Sequence, residues 1–173
     1  MIKLSSYHCD LHSEKVVQLF RAIYPVWSER QYSKMAYRET HPLHVKTLLA
    51  VDLENIVGQI NIFRICGECT VGNVGYHVHP TWQRKGIGSL LLKTLLAEST
   101  TVSGLTEGLV VQTSADNVAA LTLARNAGFI NTPKSLIYKH SNRLKFSQID
   151  NGCCLYLPFD ELQSISQRAN ATI

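Results

Sequence analysis

Long apolar runs are missing from this 173-residue sequence, because none reaches the roughly 18 residues that a membrane-spanning helix needs. The opening residues MIKLSSYHCD also lack the basic-then-apolar order of a secretory signal. Charged residues make up only 17% of the chain, the net charge is +4, and the lysines and arginines are scattered rather than clustered. A basic surface built for nucleic acid is therefore not expected. These absences predict a cytoplasmic protein whose partners include neither a membrane nor a nucleic acid.

Cysteine is present in an odd number, which argues against a framework of disulfides in a chain without an export signal. The five residues are Cys9, Cys66, Cys69, Cys153 and Cys154. Two of them have the spacing of half a zinc knuckle, and the adjacent pair lacks the spacing of the other half. A closed zinc site needs four well-spaced donors, so ordinary thiols are favoured and no metal is predicted.

The hydrophobic fraction of 45% and the chain length suit one domain with one buried core. Apolar periodicity predicts strands at residues 1–8, 44–52, 56–65, 71–79, 109–113, 136–140 and 153–159. It predicts helices at residues 13–24, 27–37, 88–102 and 116–127, with a short helix in the tail after Pro158. This order predicts an α/β fold with a single mixed, mostly antiparallel sheet of about 6–7 strands and helices on both faces.

A segment rich in glycine and basic residues stands where the third predicted helix begins. The unsatisfied amides and the positive end of a helix N-terminus attract anions. Gly86 and Gly88 remove the Cβ atoms that would keep a phosphate away from these amides, and Arg84 and Lys85 add positive charge. Pro80 ends the preceding strand. The segment predicts a phosphate-binding turn between a strand and a helix.

Two better-known phosphate motifs are excluded. The third glycine of a dinucleotide fingerprint would fall at Leu91, and no Gly-Lys-Ser/Thr follows for a P-loop. Because Gly-x-Gly occurs in many loops, an ordinary turn remains the alternative for this segment taken alone.

A second segment, SADNVAALTLARNAGF at residues 114–129, follows a buried strand. Together the two segments resemble the signature of the GNAT superfamily of N-acetyltransferases across residues 71–129. The matching residues are Val78-His79-Pro80, Gln83-Arg84-Lys85-Gly86-Ile87-Gly88, Asn117, Ala120, Leu123 and Gly128-Phe129. The resemblance implies the acyl-CoA N-acyltransferase fold, with residues 1–70 on the acceptor side, 71–129 as the acetyl-CoA-binding core and 130–173 as C-terminal strands and tail of one domain.

The resemblance implies acetyl-CoA as co-substrate and assigns its contacts. The main chain of residues 76–78 would pair with the pantetheine arm, amides from the glycine segment would hold the pyrophosphate, and Asn117 would bond the arm. The implied cofactor-binding residues are Tyr76, His77, Val78, Gln83, Arg84, Lys85, Gly86, Ile87, Gly88, Ser89 and Asn117.

The resemblance leaves catalysis open, because Ala124 replaces the tyrosine that many members use as acid and Gln112 replaces the glutamate that some use as base. The candidate catalytic residues are Tyr76, Tyr138 and Glu68, with His77 and His79 as bases of suitable pKa on the opposite strand parity. A bulge in that strand would reverse the parity. Each of these residues also has an ordinary structural interpretation.

The acceptor is expected against the first two helices, where Tyr24, Trp27, Glu29 and Tyr32, with Tyr37 and Glu39, are the candidate residues. A carboxylate there would attract an ammonium, and an aromatic face would add a cation–π contact. The expected activity is acetyl transfer to a primary amine of a small molecule or peptide in a direct ternary complex. The alternatives are a catalytically weak acyl-CoA sensor of the same fold and, less favoured, a nucleic-acid binder. A homodimer is expected because dimers are common among proteins that resemble this one.

Overall fold

A computed structural model describes residues 1–37, 40–65, 67, 70–99, 104–140 and 151–170, with the main chain only at residues 137, 138, 169 and 170. No helix in these ranges combines the length and the apolar character needed to cross a membrane.

The strands of the described chain form one mixed sheet of seven strands. They are β1 (Lys3–Ser6), β2 (His44–Asp52), β3 (Asn55–Arg64), β4 (Val71–Val78), β5 (Gly108–Ser114), β6 (Ile130–Asn131) and β7 (Gly152–Pro158). Their order across the sheet is β1-β2-β3-β4-β5-β7-β6. The β4–β5 pair is parallel, and the pairs β1–β2, β5–β7 and β6–β7 are antiparallel. The predicted mixed sheet is confirmed.

The helices are α1 (Cys9–Ile23), α2 (Glu29–Ala36), α3 (Ile87–Ser99), α4 (Val118–Asn126), α5 (Lys134–Lys139) and α6 (Phe159–Asn170). A short 3-10 turn covers Pro80–Trp82. The chain divides into two compact units, residues 1–62 with 76–92 and residues 63–75 with 93–173.

The first unit buries one side of α1 against the sheet. Val16, Leu19 and Phe20 recur at helical spacing and are almost completely buried. Helix α2 begins with a capping contact, since the Gln31 side-chain oxygen accepts a hydrogen bond of 2.8 Å from the main-chain N–H of Ser28. These contacts hold α1 and α2 on the sheet and fix the residues that join them.

Helix α3 approaches the first unit's sheet closely at Gly58. A Cβ there would lie 2.9 Å from Ile87 and 3.1 Å from Leu91, so only glycine leaves room for the helix. Side chains alternate between the faces of a strand. On β4 the ring of His77 contacts Phe20 of α1 with ring centroids 4.8 Å apart. Helices α1 and α3 therefore cover opposite faces, as predicted.

In the second unit, α4 has defined ends. Its N-cap Asn117 accepts a hydrogen bond of 3.2 Å from the N–H of Ala120 through its side-chain oxygen. At the other end Gly128 has a φ of 96° and the N–H of Phe129 reaches the carbonyl of Ala124 at 3.1 Å. This is the Schellman close predicted from the sequence.

One predicted strand is wrong. Residues 136–140 were expected to be extended, but Lys134–Lys139 is helix α5, and the strand after α4 is the two-residue β6. The N–H of Leu136 bonds the carbonyl of Pro133 at 3.1 Å, and the N–H of His140 bonds the carbonyl of Leu136 at 3.1 Å. Proline is well suited to a helix start because it has no N–H to satisfy. The tail helix also proves longer than expected.

Glu107, in the loop before β5, ties several elements of the second unit together. Its carboxylate accepts a hydrogen bond from Lys139 of α5, and its main-chain carbonyl accepts one from the N–H of Phe159 at 3.2 Å. The bond from Lys139 lowers the pKa of the Glu107 carboxyl against the opposing effect of burial. This carboxylate therefore holds its charge in the fold.

Gly108 offers a sharp test of the second unit. Its φ is 140°, and a Cβ would fall 2.2 Å from the carbonyl oxygen of Leu157 on β7. We expect Gly108→Ala to lower the free energy of unfolding by about 3 kcal/mol or more, through left-handed strain and overpacking. Gly128→Ala is the control, because its added Cβ meets nothing closer than 3.6 Å and only φ is strained. That control should cost about 1 kcal/mol. Equal costs in urea unfolding would contradict the backbone clash.

Candidate functional site

The glycine turn, residues 83–86, leads from the 3-10 turn into α3 and is exposed along its length. Two of its residues are left-handed, since φ is 61° at Arg84 and 80° at Gly86. A Cβ on Gly86 would meet no atom within 4 Å, so this position opens onto free space. Such consecutive changes of backbone hand turn main-chain N–H groups toward a common point and form anion-binding concavities.

The first turn of α3 adds amide donors beside this opening. The first helical hydrogen bond runs from the N–H of Leu90 to the carbonyl of Gly86, at 2.9 Å. The N–H groups of Ile87, Gly88 and Ser89 precede it and have no carbonyl partner within their own helix. The helix dipole gives these amides a partial positive charge. The N-terminus of α3 and the glycine turn thus form one positively polarised surface.

Three side chains in and beside the glycine turn make contacts that stabilise its shape. Gln83 Nε2 donates a hydrogen bond of 3.2 Å to the carbonyl of Val78, which ties the turn to the end of β4. Lys85 Nζ lies 4.7 Å from the ring centre of Trp82, a cation–π contact. His79 Nδ1 caps the 3-10 turn by accepting from the N–H of Thr81. The side chains of Gln83 and His79 are therefore used in shaping the loop.

Strand β4 runs beyond its ladder with β5. That ladder has three residue pairs and ends with Asn73 opposite Val110, whereas β4 continues to Val78. In the first unit, the N–H of His79 bonds the carbonyl of Val57 on β3 at 2.9 Å. The last residues of β4 are thus held from the β3 side.

The parity of β4 follows from two hydrogen bonds to β3. One joins His79 to Val57 and the other joins Ile65 to Val71. The two bonds are eight residues apart on β3, from 57 to 65, and eight residues apart on β4, from 71 to 79. Equal advance means that β4 carries no net extra residue relative to β3. The bulge considered from the sequence is therefore not found in this strand.

Tyr76 and His77 point to opposite faces because they are adjacent on an unbulged strand. Burial raises the pKa of the Tyr76 phenol well above its usual range, so the phenol stays protonated at neutral pH. The His77 ring meets Tyr24 edge-on, with centroids 6.0 Å apart, as well as Phe20. One predicted catalytic residue and one predicted base thus face different surroundings.

A cluster of rings, termed here the ring cluster, consists of Phe20, Tyr24, Trp27 and His77. Tyr24 and Trp27 stack at 4.1 Å with an interplanar angle of 5°, and Phe20 lies 5.9 Å from Trp27 at 11°. Tyr24 and Trp27 are half-buried, and the residue between them, Val26, is 92% exposed. The structure therefore brings two predicted acceptor residues together with His77.

The other two predicted acceptor residues are engaged by neighbours. Tyr32 is buried and donates its hydroxyl to the carbonyl of Tyr24 at 2.6 Å. Glu29 accepts two hydrogen bonds from Arg21, of 2.8 and 2.9 Å. Both bonds come from Nη2 of Arg21, whose positive charge balances the negative charge of the carboxylate. No pattern in the sequence predicts this pairing.

The second unit holds the other positions singled out in the sequence. Ala124 is completely buried in α4. It occupies the position at which many members of the family that the sequence resembles carry a tyrosine. Gln112 on β5 has a buried side-chain oxygen without a hydrogen-bond partner. Asn117 uses its side-chain oxygen as the α4 cap. Its amide nitrogen is the part that the predicted contact with a ligand would use.

Three predicted residues fall wholly or partly outside the described chain. Glu68 and Glu39 lie outside the described residues, and Tyr138 lies in helix α5 rather than on the expected strand. The described residues contain no group of three or more His, Cys, Asp or Glu side chains that could hold a metal ion.

The sequence of residues 13–129 matches the model of the acetyltransferase (GNAT) family. No curated protein matches the chain at a significant level. The GNAT domain of S. lividans PAT is similar in structure, with a TM-score of 0.69 and 16% identity over 91% of this chain and 90% of that one. A chimera of the spermidine N-acetyltransferase SpeG from Vibrio cholerae and hSSAT has a TM-score of 0.69 and 15% identity over 94% and 98%. The yncA protein of Salmonella typhimurium, solved with acetyl-CoA, has a TM-score of 0.59 and 19% identity over 76% and 81%. At these identities the structural likeness shows the fold.

The left-handed residue Arg84 generates a stability prediction. A non-glycine residue in this conformation is strained by about 1–2 kcal/mol, and glycine loses roughly 0.5–1 kcal/mol more on ordering. We expect Arg84→Gly to raise the free energy of unfolding by about 0.5–1 kcal/mol. The control Lys85→Gly, at a residue without positive φ, should lower it by a similar amount. Losses of equal size in both variants, measured by urea unfolding, would contradict the strain at Arg84.

Proposed function

Because the chain belongs to the GNAT family of acetyltransferases, we propose that it transfers the acetyl group of acetyl-CoA to a primary amine of a small molecule or peptide, within one ternary complex. The observation that carries this proposal is the exposed glycine turn, whose two left-handed residues directly precede the N-terminal amides of α3. The proposal thus begins from a main-chain anion site.

The glycine turn fits the pyrophosphate of acetyl-CoA. Free space beyond Gly86 leaves room for a phosphate against the main chain, and Arg84 and Lys85 bring two formal positive charges to the same exposed turn. Amide donors at a helix N-terminus and cationic side chains both favour phosphate oxygens. The amides of residues 84–89 would hold the pyrophosphate, and Gln83 would keep the turn in place through Val78.

The pantetheine arm would lie along the end of β4. Its amide groups would bond the main chain of residues 76–78 like an added strand, which is a common mode of binding extended ligands. The early end of the β4–β5 ladder, at Asn73, supports this assignment, as does the acetyl-CoA bound by the similar yncA protein. The contact of Asn117 with the arm stays a prediction.

When bound, acetyl-CoA supplies a thioester, from which the acetyl carbon forms a bond to the amine nitrogen as its bond to sulfur breaks. The chain's part is to hold the amine close to the carbonyl and to supply a proton to the departing thiolate. We assign this proton to the partly buried phenol of Tyr76, which is protonated at neutral pH. The proton that the attacking nitrogen loses passes to water, from which the phenol is restored. Glu68 and Tyr138 stay predictions for the catalytic groups.

The amine would be received beside the ring cluster. Tyr24 and Trp27 present half-buried faces there, and their rings offer a cation–π surface to an ammonium before it loses its proton. Tyr32 and Glu29 support this wall, since one bonds the Tyr24 carbonyl and the other pairs with Arg21 at the start of α2. We therefore keep all four in the acceptor site, with the first two in contact and the other two positioning.

Thermal unfolding with acetyl-CoA tests the cofactor assignment. Saturation at about 100 times Kd adds roughly 2.7 kcal/mol to the free energy of unfolding. At roughly 2–4 °C per kcal/mol for a chain of this size, the melting temperature should rise by about 5–11 °C. Gly86→Asp should abolish the rise by placing a carboxylate where the phosphate binds. Gly86→Asn has the same shape without the charge and should keep part of it. A folded aspartate variant that still shifts fully would exclude the glycine turn as the phosphate site.

A second candidate function is an acyl-CoA sensor that no longer catalyses transfer. Ala124 and Gln112 favour it, because neither can exchange a proton at the positions where relatives carry a tyrosine or a glutamate. Release of free thiol from acetyl-CoA, followed over a broad panel of amines, separates the two candidates. Turnover with any amine above the buffer rate supports the enzyme, and binding without turnover across the panel supports the sensor.

A cytoplasmic location and a homodimer complete the proposal. Both derive from the sequence and from the resemblance to the family, and both stay predictions.

A further inference from the structure

Two amide side chains on β3 are buried with unsatisfied polar atoms. Gln59 and Asn61 are each only 2% exposed, and neither Gln59 Oε1 nor Asn61 Nδ2 has a hydrogen-bond partner. Buried polar atoms are almost always bonded in native proteins, because leaving one unpaired costs its full hydration. We refer to these residues as the amide pair. Gln59 Oε1 therefore needs a hydrogen-bond donor, and Asn61 Nδ2 needs an acceptor.

The amide pair shares a face of the first unit with the ring cluster. Gly58 precedes Gln59 on β3, and a Cβ on it would point toward Ile87 and Leu91 of α3. Because side chains alternate along a strand, Gln59 and Asn61 point to the other face. The bond between His79 and Val57 places Gln59 directly opposite His77, whose ring touches Phe20 and Tyr24 on that same face. The amide pair therefore lies one strand away from the part of β4 assigned to the pantetheine arm.

The charge of this region disfavours a polycation. The carboxylate of Glu29, in the same unit, is balanced by Arg21, and the amide pair itself is neutral. A ligand that carries only ammonium groups would satisfy Gln59 Oε1 and leave Asn61 Nδ2 unpaired. A carboxylate would do the reverse. A carboxamide or peptide group has both an N–H and a C=O, and it alone of the three satisfies both atoms.

We propose that Gln59 and Asn61 bind a neutral carboxamide group of the acceptor, so that the substrate is a primary amine attached close to an amide. The proposal rests on the proposed acetyl transfer. Neighbouring strands lie about 4.8 Å apart, so an acceptor anchored on β3 presents its amine to the β4 side only if a few bonds separate amine and amide. Amino-acid amides and the N-termini of peptides share this chemistry.

The ring cluster lies on the face of the sheet that carries the amide pair, with His77 opposite Gln59. Tyr24 is the half-buried ring beside His77, and it stacks on Trp27 at 4.1 Å, next to the exposed Val26. An acceptor bound beside these rings is expected to change the surroundings of Trp27. Trp27 and Trp82 are the two tryptophans of the sequence. The fluorescence of Trp27 therefore reports on the acceptor site, and that of Trp82, beside Lys85, reports on the glycine turn.

Two single-tryptophan proteins separate this proposal from the proposed function. Trp27→Phe keeps Trp82, whose fluorescence should change on titration with acetyl-CoA; no change there, together with no thermal shift of the unmodified protein, would defeat the acetyl-CoA assignment. Trp82→Phe keeps Trp27, which is titrated with L-phenylalaninamide and with 2-phenylethylamine, a pair of amines that differ only by the carboxamide. The carboxamide should bind about tenfold to a hundredfold more tightly, as expected for two added hydrogen bonds.

Substitution of the amide pair then tests the contact itself. In the Trp82→Phe background, Gln59→Met and Asn61→Leu remove the polar atoms at similar volume. Each should reduce the preference for the carboxamide by about tenfold and should leave the melting temperature unchanged or higher, because an unsatisfied buried atom is lost. Gln18→Met, at an exposed position of α1, is the control and should keep the preference.

Several results would overturn the proposal. These are equal affinity for the two amines, no saturable change in Trp27 fluorescence at millimolar carboxamide, retention of the full preference in both variants, or tighter binding of spermidine than of the carboxamide. A further titration distinguishes the two possible sources of the amide group in the acceptor. Tighter binding of the peptide Phe-Gly-Gly than of L-phenylalaninamide supports a peptide N-terminus, and weaker binding supports a small amino-acid amide.

Discussion

A helix can bind an anion at its first turn only if the chain that enters it leaves the first amides uncovered. In this protein that condition is met by a reversal of backbone hand at Arg84 and Gly86, directly before α3. The side chain of Gln83 ties this reversal to the end of β4 through its hydrogen bond to the carbonyl of Val78. The cofactor assignment depends on this junction, whereas the orientation of Tyr76 follows from the pairing of β4 with β3.

The main chain and the side chains of strand β4 are assigned different roles. Its main chain is assigned to the cofactor, while its side chains divide between the faces covered by α1 and α3. His77 turns to the ring cluster and Tyr76 turns away from it. An acceptor bound on the α1 face and a proton donor on the other would meet only where the strand edge is free. The ladder of β4 with β5 ends at Asn73.

Local signals in the sequence predicted most of the fold. The helical period of α1, the β2–β3 hairpin and the close of α4 at Gly128 each depend on neighbouring residues, and each is confirmed. Helix α5 was missed because a short apolar run such as residues 136–138 suits a strand and a helix equally well. The bonds that follow Pro133 decide it, and they are visible only in three dimensions.

The candidate site was predictable in its main chain and less so in its side chains. Glycine spacing indicates where amides are bared, since φ and space are local properties. The pairing of Glu29 with Arg21 joins α2 to α1 and has no sequence signal. Gln59 and Asn61 alternate with apolar residues, a pattern that normally indicates a solvated face of a strand. Only their burial beneath the α1 side shows that the pattern has another cause.

The charge held on Glu107 has a consequence for behaviour in acid. A carboxyl whose pKa is lowered by folding stabilises the fold above the pKa of the unfolded chain, and that stabilisation disappears as pH falls through the lowered value. Acidification therefore loosens the link between α5 and the loop before β5, where Lys139 meets this carboxylate. The brace between Gln83 and Val78 joins an amide to a carbonyl and contains no group that titrates. Acid below the ordinary range of a glutamate pKa should thus weaken one end of the second unit, while the bond between Gln83 and Val78 keeps both of its partners.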